Sequence, residues 1–211
     1  MSIALKVFVR NIFRLNIIAT VKLSLFMGTG WKFLVFRNGR VSIDRRSTIK
    51  IGESFYFNSK FNHRDPFPSF LSMYEHSTLQ VDRHFSIHSN ARVSVAAGAT
   101  LSLGSGYINS NAAIACFESI TIGYDVAIAE NVVIRDSDNH EIPDGRHIKT
   151  RPVTIGNHVW IGMNSMILKG VTIGDGCIVA AGSVVNKNFP ANCLIGGVPA
   201  KILKEHIQWK L

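Results

Sequence analysis

Residues 135–143 read RDSDNHEIP and set one histidine, His140, in a polar stretch flanked by some of the most regular apolar sequence in the chain. An imidazole has an ordinary pKa of about 6.5, so near neutral pH it can take a proton from a hydroxyl. Asp136 and Asp138 are close enough in sequence to orient that ring or stabilise its charged form, and both serve equally well as solvated loop acids. His147 and His158 follow at intervals of seven and eleven, which raises the question of a metal. Cys116, Cys177 and Cys193 add no zinc-like grouping; they read as buried small hydrophobes in a reducing compartment. A lone loop histidine is more often a surface residue, so its meaning depends on what holds it.

What surrounds it is a six-residue rhythm. Ile155, Ile161, Ile167, Ile173, Val179 and Val185 recur at an interval of six, as do Ile122, Ile128 and Ile134 upstream, then Val81, Ile87, Val93 and Ala99, and more loosely Ile43, Ile49, Phe55 and Phe61. This period matches neither an α-helix nor an alternating strand. It fits a solenoid in which six residues make a short strand and a corner, three sides close one coil of a triangular prism, and the branched residue points inward. Gly156, Gly162, Gly174, Asn131 and Asn164 suit the corners. Ile134 and Ile155 are 21 apart, read as one 18-residue coil plus three, with a loop extruded at about 135–154.

The run VWIGMNSMILKGVTIGDGCIVAAGSVV followed by GGVPAKIL resembles the hexapeptide-repeat acyltransferases, strongly over about 101–205. That resemblance implies an all-β, left-handed parallel β-helix; parallel crossovers in general turn the other way. It implies that His140 is the catalytic base, by similarity to sugar and polysaccharide O-acetyltransferases, and that Asn111 and Trp160 contact the acceptor. It implies acetyl-coenzyme A as donor, held along coil backbone at Gly162, Met163, Ala180 and Ala181, with the N–H groups near Gly162 and Met163 as oxyanion donors. Asn186, Lys187 and Lys201 match the phosphate end, although the family often has Thr-Lys and Arg there. It also implies a homotrimer with active sites between neighbours. The metal-dependent carbonic anhydrases on this fold resemble a different pattern, with two histidines five apart; that pair is missing, so no metal is expected, and His147 and His158 read as loop or surface residues.

Residues 1–50 hold ten Lys or Arg against Asp44 alone, while residues 51–211 hold thirteen of each sign, so the net +9 is N-terminal. A basic end on a neutral body suggests attachment rather than nucleic-acid binding. Lys6, Arg10, Arg14 and Lys22 break the apolar stretch too often for a bilayer span or a signal peptide. Two readings stand for residues 1–27: an interfacial helix on anionic lipid, or a helix packed on its own domain or a neighbouring subunit. The expected organisation is a basic amphipathic segment at 1–40, the β-helix at 41–205 and a tail at 206–211, with a short C-terminal helix. The expected location is cytoplasmic, with peripheral contact on the inner membrane face. The departure from sugar acetyltransferases at the N-terminus points to a polysaccharide or lipid-linked acceptor, with the aromatic segment 55–70 either lining a cleft or filling a coil. An N-acyltransferase on an amino or nucleotide-linked sugar and a non-catalytic scaffold are the alternatives.

Overall fold

The structure, a computed structural model, describes residues 3–60, 62, 64–143 and 147–210. Three parallel sheets of nine, seven and six strands stand side by side, and the chain visits the first, second and third in turn. Phe33–Val35, Arg40–Ile43 and Thr48–Ile51 make the first coil. Among the described residues six coils are complete, the sixth being Trp160–Ile161, Met166–Ile167 and Thr172–Ile173. Ile178–Val179 and Val184–Val185 begin a seventh, closed by a bridge from Phe189 to Ile173. The prism therefore starts at Phe33, ahead of residue 41, because Phe33, Leu34 and Val35 already pair in parallel with Phe55, Tyr56 and Phe57.

The six-residue interval becomes three vertical columns. Ile122, Ile155 and Ile173 stack in register on the third face, Ile128, Ile161 and Val179 on the first, and Ile134, Ile167 and Val185 on the second. All are buried, and each such side chain contributes about 1.5–3 kcal/mol of burial. Ile134 and Ile155 lie on adjacent sides of the same coil, so no further coil separates them and the whole excess between them is loop. At the corner between the first and second faces, Asn58, Asn90, Asn111, Asn131 and Asn164 adopt φ of 60–65° and Gly182 φ of 73°. Asparagine tolerates this left-handed turn better than other residues with a side chain.

At the open N-terminal end, α1 (Ile3–Asn11) and α2 (Ile17–Phe26) cover the first coil. Asn16 caps α2 by accepting from Ala19 N–H, and Leu23 enters the prism core with Phe33 and Val35. Phe8, Leu15, Leu34 and Phe36 form a second small core. No helix among the described residues is long and apolar enough to cross a membrane.

The C-terminal end corrects one expectation. Ala200–Lys204 is a strand antiparallel to Leu194–Gly197, and among the described residues no helix follows it, against the expected short C-terminal helix. Pairing there satisfies the edge of the last parallel strand, which a helix would leave open. In the aromatic segment, Phe55 and Phe57 fill the core while Phe67 and Phe70 are exposed; Phe61 lies outside the described residues.

Candidate active site

The loop from 136 to 152 leaves the corner between the second and third faces of the fifth coil. Its neck is a short antiparallel ladder: Arg151 N–H donates to Asp136 O, Asp138 N–H donates to Lys149 O, and Ser137 bridges Thr150. Asp136 does not reach His140. It is fully buried, and its carboxylate accepts from the N–H groups of Phe117 (2.7 Å), Glu118 (2.8 Å) and Ser119 (2.8 Å). Those three donors belong to the tight turn of the coil before, so Asp136 fastens the root of the loop to the prism.

Asp138 is likewise engaged away from His140. Its Oδ2 lies 2.8 Å from His147 Nε2 and 2.5 Å from Lys169 Nζ. Those two partners hold its carboxyl below the usual carboxylate range, Lys169 first. His147 Nδ1 accepts from Ile142 N–H at 3.2 Å, which leaves the ring hydrogen on Nε2 to be donated to Asp138. Lys169 Nζ, 3.0 Å from that nitrogen, also donates to Ile148 O. One imidazole thus clips together the residue two before His140 and the residue two after it. His140 itself is exposed at the crown of the arc, and among the described residues its ring makes no hydrogen bond. His147 is a loop residue, as expected, and its side chain, 12% exposed, ties Asp138 to Ile142. Lys169, arriving from the next coil, adds a contact to Asp138 that spacing does not show.

The remaining candidates divide between corners. Asn186 and Lys187 sit on the same corner as the loop, in the last coil, with the Lys187 ammonium 5.7 Å above the Phe189 ring. Asn111, Gly162, Met163, Ala180 and Ala181 sit on the corner between the first and second faces, across a face about 13 Å wide. Asn111 is a rung of the asparagine column, accepting from Asn90 Nδ2 at 2.6 Å. Gly162 N–H is spent on Val179 O and Ala180 N–H on Ile195 O. Among the described residues the neighbouring N–H groups of Met163 and Ala181 have no backbone acceptor. A Cβ at 162 would lie 2.6 Å from Ala181 N, so only glycine leaves that amide uncovered.

Trp160 is exposed on the first face, its ring 5.9 Å from that of Trp209. Trp209 stacks on His158 at 4.1 Å and donates from Nε1 to His158 O, so this partly exposed corner residue also holds the C-terminal tail. Lys201 lies exposed on the closing hairpin. All three cysteines are free and buried, and burial pushes the Cys116 thiol up to about 12.

Residues 152–187 match the family model "Bacterial transferase hexapeptide (six repeats)". The chain is 40% identical over 102 residues to the galactoside O-acetyltransferase of Escherichia coli K12, covering 47% of this chain and 50% of that protein. It is 38% identical over 96 residues to the polysialic acid O-acetyltransferase of Escherichia coli O1:K1, covering 43% of this chain and 31% of the other. The chain thus spans half or less of these relatives' length. The N-acyltransferase AntD of Bacillus cereus, solved with coenzyme A and dTDP-4-amino-4,6-dideoxyglucose, shares the fold with a TM-score of 0.51 at 21% identity, over 84% of this chain and 82% of that one. Residues 152–187 thus carry the hexapeptide repeats of bacterial transferases, and the coils are built as a left-handed parallel β-helix.

Proposed function

We propose that the protein transfers an acetyl group from acetyl-coenzyme A to a sugar hydroxyl of a cell-surface polysaccharide or its lipid-linked precursor. The observation that carries this reading is the exposed His140 ring at the crown of an arc clipped on both sides by His147. His140 takes the hydroxyl proton as the sugar oxygen attacks the thioester carbonyl. The C–S bond then breaks, and the imidazolium returns its proton to the departing thiolate. Met163 N–H is the donor for the oxyanion formed between these steps. The uncovered Ala181 amide suits the pantetheine arm, and Lys187 and Lys201 suit the phosphates.

His140 and Asn111 occupy different corners of one protomer. We infer a homotrimer in which the loop of one subunit faces the asparagine corner of its neighbour, so that each site is completed by two chains. The similarity to the polysialic acid enzyme supports a polymeric acceptor.

The test is acetyl transfer from acetyl-coenzyme A to deacetylated glycan, followed by mass spectrometry of the product. His140→Ala is expected to lose about 10²–10⁴ in rate with its oligomeric mass and melting temperature unchanged. Full activity in that variant sinks the reading. An amide rather than an ester in the product would move the acceptor to an amino sugar, and absence of coenzyme A binding would leave a scaffold.

A further inference from the structure

The basic N-terminal segment packs on its own prism, and it also keeps an apolar face for something else. On α2, Thr20 and Leu23 point inward and are buried. Ile18, Lys22 and Leu25, at i, i+4 and i+7, share the opposite side, where Ile18 is 71% and Leu25 69% exposed. Phe26 beside them is 81% exposed, and Phe13, in the turn before α2, is 85% exposed. A helix whose inner face is already buried has no need of isoleucine, leucine and phenylalanine on its outer face. Exposed apolar groups gathered in this way mark a docking surface.

The charges say what docks there. Lys6, Arg14 and Lys22 of the same segment are exposed, and Asp44 is the first acid in the chain. Among the described residues none of the three is ion-paired. A second copy of the chain seated on this face would bring like charges together without an acid to separate them. A bilayer with anionic headgroups meets both demands, taking the apolar side chains into its interface and the cations at its surface. With ten residues, α2 is about 15 Å long, enough to lie in the interface and far too short to span it. We propose that α1 and α2 form a foot that docks the prism, end-on, on an anionic membrane surface, with Phe13, Ile18, Leu25 and Phe26 inserted and Lys6, Arg14 and Lys22 at the headgroups.

The test is co-flotation of the full chain with vesicles of phosphatidylglycerol and phosphatidylethanolamine, against vesicles of phosphatidylcholine alone. Binding is expected on the first and at least tenfold weaker on the second. Arg14→Glu and Lys22→Glu should each weaken it about fivefold or more, and Leu25→Ser with Phe26→Ser should abolish it while the circular dichroism of the β-helix is retained. His140→Ala should bind vesicles as the parent does, so failure of docking and failure of the catalytic reading are told apart. Equal binding to both vesicles, or to neither, overturns the proposal. So does a concentration-dependent doubling of oligomer mass that Leu25→Ser and Phe26→Ser remove, which would make the face a contact between copies.

Discussion

Two excursions interrupt the prism, one at 60–69 and one at 136–152, and they use their polar residues differently. In the first, Asp65 accepts from Ser89 Oγ and from Phe67 N–H, Lys60 donates to Asp65 O, and Asn38 Nδ2 donates to Pro66 O. Those groups are spent on holding the chain to itself. In the second, Asp136, Asp138, His147 and Lys169 are spent in the same way, and the arrangement leaves one titratable ring, His140, facing out. Polarity alone does not separate a tethered loop from a working one. Among the described residues, what marks the second is that its tethering brackets a histidine, His140, whose own ring makes no hydrogen bond.

Cutting the root of the second loop should have the largest effect. Asp136→Ala removes the acceptor of three N–H groups, hydrogen bonds to a charged group being worth about 1.5–3 kcal/mol each, so denaturant unfolding should show a loss of at least about 3 kcal/mol. Releasing the clip is the next test. His147→Ala should lower kcat by about 10²-fold, as expected when a catalytic group is misplaced by about an ångström, with little change in melting temperature; His147→Gln, which can still accept from Ile142 N–H, should recover part of it. In the first loop, Asp65→Ala should cost about 1–2 kcal/mol of stability through lost hydrogen bonds and leave acetyl transfer within about twofold of the parent. If Asp65→Ala abolished transfer while His147→Ala did not, the distinction between the loops would collapse.

The smallest effect is a titration. With its folded pKa depressed by Lys169 and His147, the stability that Asp138 contributes is present above the unfolded value of about 3.9 and is lost only as pH falls through the lower folded value. Carbon-13 NMR of the Asp138 carboxyl should therefore give a midpoint below the ordinary range, and Lys169→Met should raise it.

The prism was legible in the text because an inward branched residue must recur wherever three short sides close a coil. The loop was legible as a break in that recurrence. The role of Asp136 could not be read from spacing, since its partners Phe117, Glu118 and Ser119 come from the coil before, and the Lys169 that joins Asp138 and His147 comes from the coil after. Proximity in sequence to His140 leaves Asp136 and Asp138 open as ring partners or solvated loop acids, whereas Asp136 is held by the turn before it and Asp138 by His147 and Lys169. At the N-terminus, packing on the domain and an apolar outer face had been opposed readings. The helices pack with one side and leave the other uncovered, so sequence periodicity could not choose between them.

The reversal of direction at Gly197–Ala200 reaches beyond the hairpin it makes. Every parallel strand of the first face offers its far edge to the next coil, and the rule that stacks coils within one chain would let a second chain continue the stack. Leu194–Gly197 meets an antiparallel strand instead, and Lys201 and Lys204 stand exposed along it. Charge on an outermost strand discourages further pairing. With α2 against Phe33–Val35 at the other end, the first face is covered at both of its edges, and growth of that sheet by a further parallel strand is blocked at top and bottom alike.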